Sequence, residues 1–282
     1  MGIPNARHRA GFCCAALCLL FVASLQADSL CFEFSGFSRS FGTVDLDTGA
    51  ISGAFPPLGN DIGLGVYGGS LYTANTGVLY TVNTAGPSLP PPAANNFGIH
   101  MVDLGSTLDG LYGVGWDQST YDGSSESDLG MYSIDPSTGL ATLVGLTGLS
   151  YSVNFPNIGL STNSDTLYFG DGTELYTIST TTGAYIDVGS FGGSGSYEMS
   201  ALIVINGVLY GADINNGSID TINTATGAAT PFVTNNVPIY GLALDPLPSG
   251  GPVTPEPGTW SLLAAATLGL MAAKKKCRQR PG

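Results

Sequence analysis

Between residues 28 and 257 this 282-residue chain has no lysine and one arginine, Arg39. The other basic residues are crowded at the two ends: Arg7 and Arg9, then Lys274, Lys275, Lys276, Arg278 and Arg280. All 21 acids lie in the segment between, which therefore carries a charge near −20. A surface of that sign repels nucleic-acid phosphates and anionic lipid headgroups, so nucleic-acid binding is excluded. With no lysine and no Walker sequence, phosphate and nucleotide sites are disfavoured as well. Histidine is nearly absent, with only His8 and His100. Cysteine is also scarce outside the ends: Cys13, Cys14 and Cys18 precede residue 28, and Cys277 follows residue 257. Cys31 alone remains, so the body has no internal disulfide framework, and too few His and Cys are left for a zinc site.

The ends read as targeting segments. At the start, the basic Arg7-His8-Arg9 precedes an apolar run over 10–25, with small residues at Ser24 and Ala27. Residues 1–27 are expected to be a secretory signal helix cleaved after Ala27. A lipoprotein signal is the alternative, but no cysteine follows a good lipobox. At the other end, a Pro/Gly linker over 247–254 leads to Pro255-Glu256-Pro257. Residues 258–273 follow without a charge, about 24 Å of helix at ~1.5 Å per residue. That is slightly short of a ~30 Å hydrocarbon core, a gap that Trp260 and snorkelling lysines would accommodate. The basic block after it predicts a cytoplasmic C-terminus. The body would then lie outside, where the signal also sends it. A plain single-span anchor accounts for the apolar run and the lysines, but not for Pro-Glu-Pro at the entrance.

The order Pro255, Glu256, Pro257, then Gly258-Thr259-Trp260, a short apolar helix and Lys274–Arg280 resembles the PEP-CTERM sorting domain. The resemblance covers residues 255–282. It implies recognition by a membrane-embedded exosortase, removal of the tail, and delivery to the surface or extracellular matrix of a Gram-negative, often exopolysaccharide-producing, bacterium. The inner membrane would be a transient partner through 258–273, and extracellular polysaccharide is a candidate partner after delivery.

The body, 28–246, is repetitive. One unit recurs five times, as FGTVDLDTG (41–49), LYTVNTAG (79–86), MYSIDPSTG (131–139), LYTISTTTG (175–183) and IDTINTATG (219–227). Alternating apolar and polar residues predict a half-buried strand. The Asp/Asn/Thr cluster closed by glycine predicts a tight turn. Ahead of four units stand Leu71-Tyr72, Leu111-Tyr112, Leu167-Tyr168 and Leu209-Tyr210. Earlier still come small apolar strands at 62–66, 98–102, 158–162, 200–204 and 240–244. A weaker fourth strand follows each closing glycine. Four strands in about 44 residues match a β-propeller blade. The body opens with strands two to four of a blade and ends with an unpaired first strand at 240–244. Joining the two completes a ring of five four-stranded blades and removes exposed edges. A sandwich or solenoid does not require that match. The Leu-Tyr and Thr-Gly pattern also loosely resembles secreted propellers with degenerate repeats.

Chemistry is sparsely supplied. His100 and Cys31 are the body's only imidazole and thiol, and there is no Gly-x-Ser-x-Gly elbow. His100 is read first as structural. Carboxylates near first-strand ends are Asp61, Asp103, Glu198 and Asp245; two of them around a channel would suit glycoside hydrolysis. The alternative function is accordingly a secreted carbohydrate-active enzyme, with Asp103, Glu198, Asp61 and His100 as its candidates. The first reading is a noncatalytic surface or matrix protein with no cofactor, binding glycan or protein. Calcium is the one candidate cofactor. The polar insertion 117–128 offers Asp117, Asp122, Glu126 and Asp128 among hydroxyls, suited to a hard cation. Tyr121 breaks the EF-hand pattern, and a solvated loop is the competing reading.

Overall fold

The computed structural model describes residues 29–34, 40–55, 61–75, 77–82, 98–117, 126–152, 159–162, 166–193 and 197–244. These residues are all-β and contain no helix. The strands form antiparallel up-and-down meanders. β1 (Ser29–Phe34), β2 (Ser40–Asp45) and β3 (Ile51–Phe55) make one sheet with β19 (Ile239–Leu244), in the order β19-β1-β2-β3. β4 (Asp61–Tyr67), β5 (Ser70–Asn75) and β6 (Val78–Val82) make a three-stranded sheet. β7 (Ile99–Ser106), β8 (Leu111–Asp117), β9 (Glu126–Ile134) and β10 (Ala141–Ser152) follow as a four-stranded one. Two further meanders are β11 (Gly159–Thr162), β12 (Leu167–Gly170), β13 (Glu174–Ile178), β14 (Tyr185–Ser190), and β15 (Met199–Ile205), β16 (Val208–Asp213), β17 (Ser218–Ile222), β18 (Ala229–Thr234). They join into one eight-stranded sheet because β11 and β15 pair in parallel at Ser161 opposite Leu202 and Thr162 opposite Ile203.

The strand expected to be left over is not left over. β19 runs antiparallel to β1, with Leu30 opposite Leu244 and Phe32 opposite Leu242. The innermost strands neighbour one another in the order β4, β7, β11, β15, β19, and β19 returns to β4. Radially arranged meanders of this kind are the propeller architecture. Every small apolar strand read from the sequence falls in an innermost strand, and each innermost strand places a leucine in the core: Leu64, Leu104, Leu160, Leu202 and Leu242 are all buried. Between sheets, side chains of two meanders share one cluster, as Val44, Ile203, Ile219 and Leu242 do.

The repeated turns form as their chemistry dictates. Gly49, Gly139, Gly183 and Gly227 have φ of +71°, +69°, +76° and +78°, a region that glycine enters without a Cβ penalty. Their N–H groups donate to the carbonyls of Asp45, Asp135, Ser179 and Asn223 at 2.7–2.8 Å. The same four residues accept from the turn with their side chains; Asp135 Oδ1, for example, takes Ser137 N–H at 2.8 Å.

Two stretches differ from the sequence reading. The insertion over 117–128 is not all loop: β9 begins at Glu126, and Glu126, Ser127 and Asp128 pair with Ser152, Tyr151 and Ser150. β10 runs on to Ser152 to meet it, after register shifts between Leu143 and Gly145 and between Leu146 and Ser150. The glycine-rich GSFGGSGS (189–196), whose composition argues for a flexible loop between blades, carries Phe191 fully buried. Phe191 donates its N–H to Thr173 O at 3.0 Å and accepts from Ala229 at 2.8 Å, bridging two meanders. The helices expected at the two ends, and the tail, lie outside the described residues. Among the described residues, no helix is long and apolar enough to cross a membrane.

Candidate functional site

Asp103 was expected near a strand end, but it lies mid-strand, because β7 continues to Ser106 opposite Leu111. It is 3% exposed. One carboxylate oxygen accepts the N–H of Leu104 at 2.8 Å, and the other accepts the N–H of Leu160 on β11. Gly63 on β4 makes room for it: a Cβ there would stand 1.8 Å from Asp103 Oδ1. Burial pushes the Asp103 carboxyl well above the usual carboxylate range, against the pull of the two N–H groups. Its immediate partners are thus main chain, on its own strand and on the next.

His100 is half-buried and stacks on Trp116, with ring centroids 4.3 Å apart and planes 8° from parallel. Burial lowers its pKa, so the imidazole is neutral at neutral pH. Glu198 directly precedes β15, and its N–H donates to Asp213 Oδ1 at 3.2 Å. Asp61 opens β4 and Asp117 closes β8. Glu126 and Asp128 stand in β9. The side chains of Asp61, Glu126 and Asp128, and the whole of Asp122, Asp245 and Pro255-Glu256-Pro257, lie outside the described residues. Asp103 and Glu198 sit on different meanders, Asp103 within β7 and Glu198 just before β15.

A second acid does meet Asp213, and sequence reasoning passed over it. In the recurring unit the residue after the first apolar position is Tyr80, Tyr132 and Tyr176 in three copies, but Asp220 in the last. The β12–β13 meander shows what the tyrosine does. The Tyr176 hydroxyl contacts Asp171 Oδ2 at 2.9 Å and Glu174 Oε2 at 3.0 Å, and Asp171 closes the β12 end of the turn. Asp213 is its counterpart at the end of β16: each acid stands four residues after its Leu-Tyr leucine, Leu167 or Leu209. Each also binds the N–H two residues on, Thr173 at 3.0 Å and Asn215 at 3.0 Å. In the β16–β17 meander a carboxylate therefore replaces the phenol that would face the turn acid.

Both acids there are covered. Asp213 is 1% exposed and Asp220 0%. Asp213 is well supplied with donors, with Asn216 Nδ2 at 2.5 Å from Oδ2 besides the two N–H groups on Oδ1. Among the described residues Asp220 has only Ser218, whose hydroxyl donates to Oδ1 at 2.8 Å. Its Oδ2 is buried without a hydrogen-bond partner. Burial raises the Asp220 carboxyl, opposed by the Ser218 bond and reinforced by the charge of Asp213. Burial raises the Tyr197 hydroxyl, reinforced by the charges of Asp220 and Asp213. The residue-level signal was legible as DINNGSID (213–220), where an Asx turn is followed by Ser-x-Asp in place of a tyrosine strand.

Fold and site together define an all-β protein of the propeller class with acids buried in its meanders. No family model matches the sequence, and no curated protein does. Similar solved structures include the calcium-binding protein regucalcin from Agrobacterium tumefaciens str. C58, at TM-score 0.46 and 15% identity over 74% of this chain and 71% of that one. A chain of a nidogen/laminin complex is similar at TM-score 0.46 and 13% identity, over 77% of this chain and 98% of that one. Glutaminyl cyclase from Myxococcus xanthus has TM-score 0.43 and 20% identity, over 64% and 69%.

Proposed function

We propose that this is an exported protein, sorted by its C-terminal tail to the cell surface or extracellular matrix, where it presents a noncatalytic five-bladed propeller over 28–246. Five blades are supported by the recurring unit and by β19 supplying the first strand of the N-terminal sheet. The second blade has three strands among the described residues. The engagement of both Asp103 oxygens by main-chain N–H groups favours a scaffold over acid/base chemistry at that residue. A neutral, hydroxyl-rich glycan suits a body with a single basic residue, Arg39, better than an anionic ligand does.

The observation that carries the sorting part is Pro255-Glu256-Pro257 followed by an uncharged run and a basic end. In a host with an exosortase, replacing all three motif residues by Ala leaves export intact and blocks tail removal. Normal processing of that variant reduces the motif to a linker and overturns the proposal. Glycan-array binding by the full-length chain, with hydrolysis assays on each hit, tests the noncatalytic part. Turnover that is lost in Glu198→Gln overturns it.

A further inference from the structure

We propose that Asp213 and Asp220, with Ser218 and Asn216 beside them, form a site for a hard divalent cation of the calcium class. This site is separate from the 117–128 insertion and does not depend on export or on the tail.

The starting point is a replacement within the repeat. Where Tyr176 sets a hydroxyl against Asp171, the last copy sets a second carboxylate, Asp220, against Asp213. Aspartate is shorter than tyrosine by most of a phenol ring, so the exchange removes a donor and bulk together. What remains is two fully covered acids on adjacent strands, with Asp213 opposite Ser218 and Asp220 opposite Gly211. One oxygen, Asp220 Oδ2, is unsatisfied. A buried acceptor without a partner is destabilising, and more so when charged, so an ion that supplied the missing partner would be held there.

Among the described residues the Tyr197 phenol feels the charge of both acids, but it is neutral and cancels none of it. No described residue is lysine or arginine, and the one histidine among them stacks on Trp116 of another meander. Asp103, also buried, is held by two N–H groups; Asp220 has one hydroxyl. A divalent cation cancels the two negative charges and takes oxygens of the kind present: two carboxylates and the Ser218 hydroxyl. Asn216 adds a fourth, because its amide, now 2.5 Å from Asp213 Oδ2 through nitrogen, presents oxygen when turned over. Calcium takes about 6–8 oxygens and tolerates irregular geometry, whereas magnesium demands a near-ideal octahedron. Among the described residues no three His, Cys, Asp or Glu converge on a metal-sized space. Two acids instead of three place the affinity in the range of weak extracellular modules, Kd on the order of 10⁻⁴–10⁻³ M.

The test is a titration of the full-length chain with CaCl2 and MgCl2 to about 10 mM, read as thermal midpoint and as bound calcium after equilibrium dialysis. Calcium is expected to raise the midpoint saturably with one ion bound per chain, and magnesium to do less. Asp220→Asn keeps the shape and removes the charge; it should weaken calcium binding at least about 10-fold. Asp220→Tyr restores the residue found in three of the other copies. It should abolish the calcium response while matching or exceeding the calcium-free midpoint of the parent. Asp122→Asn, in the insertion, should leave the response unchanged. No saturable effect of calcium, a response that survives both Asp220 variants, or one lost only in Asp122→Asn overturns the proposal. A midpoint that rises on acidification and ignores calcium also overturns it, because a proton then fills the role assigned to the cation.

Discussion

Asp103 on β7 accepts the main-chain N–H of Leu160 on β11, 57 residues further along the chain. With its other oxygen on Leu104, 2.8 Å away, one carboxylate fixes the spacing of two innermost strands. Its methylene and carboxyl occupy space that Gly63 on β4 leaves by lacking a side chain. Three consecutive innermost strands are thus coupled through a single buried acid.

Asp103→Ala removes the acceptor and leaves two buried N–H groups without partners. At about 1–3 kcal/mol for each, the expected loss is roughly 2–6 kcal/mol, read as a lower urea midpoint at unchanged slope. Asp103→Asn keeps one acceptor oxygen and should lose less. An Asp103→Ala variant within about 0.5 kcal/mol of the parent, the range of ordinary surface changes, rules out the coupling role.

Asp220 gives stability a pH dependence whose sign follows from its raised carboxyl. Above the unfolded value of 3.8 and up to the folded one, the folded state holds more protons than the unfolded state. The Asp220 contribution is therefore fully present below 3.8 and is lost as pH rises through the folded value. Asp103 acts in the same direction, and His100, lowered by burial, acts in the opposite one. The clean measurement is the difference between the parent and Asp220→Asn in calcium-free buffer, where the other two groups cancel. Parent stability relative to the variant should increase from pH 7 down towards 4. A difference that is flat, or that shrinks on acidification, is incompatible with a raised Asp220.

The fold was legible because each repeat writes its strands locally. The Leu-Tyr pairs, the alternation and the closing glycines specify β5, β8, β12 and β16 and their partners, and the unmatched strand at 240–244 announced its pairing with β1. What was not legible depends on contacts between repeats. Nothing in GSFGGSGS (189–196) says that Phe191 will be covered by a neighbouring meander, since glycine-rich composition argues only for a loop. Likewise the burial of Asp103 follows from Gly63, forty residues away. The acid pair was half legible. Aligning the repeats exposes Asp220 as the one aspartate in a tyrosine column, but only the folded register brings it against Asp213.

The closing glycines test whether the turns serve only their own hairpin. Gly227 and Gly207 both have positive φ, +78° and +81°. An alanine at either position bears the left-handed backbone cost of about 1–2 kcal/mol. Their surroundings differ: a Cβ on Gly207 meets nothing within 4 Å, whereas one on Gly227 stands 2.1 Å from Gly189 O on β14 of the preceding meander. Because the obstacle is main chain, it cannot swing aside as a side-chain tip can, and the two meanders must separate. Gly207→Ala should therefore cost about 1–2 kcal/mol, and Gly227→Ala clearly more, approaching the ~4–5 kcal/mol reached only by severe packing defects. Chemical denaturation of the two variants side by side decides the point. Equal losses would mean that the turn at 223–227 is held by its own hairpin alone, with no structural debt to its neighbour.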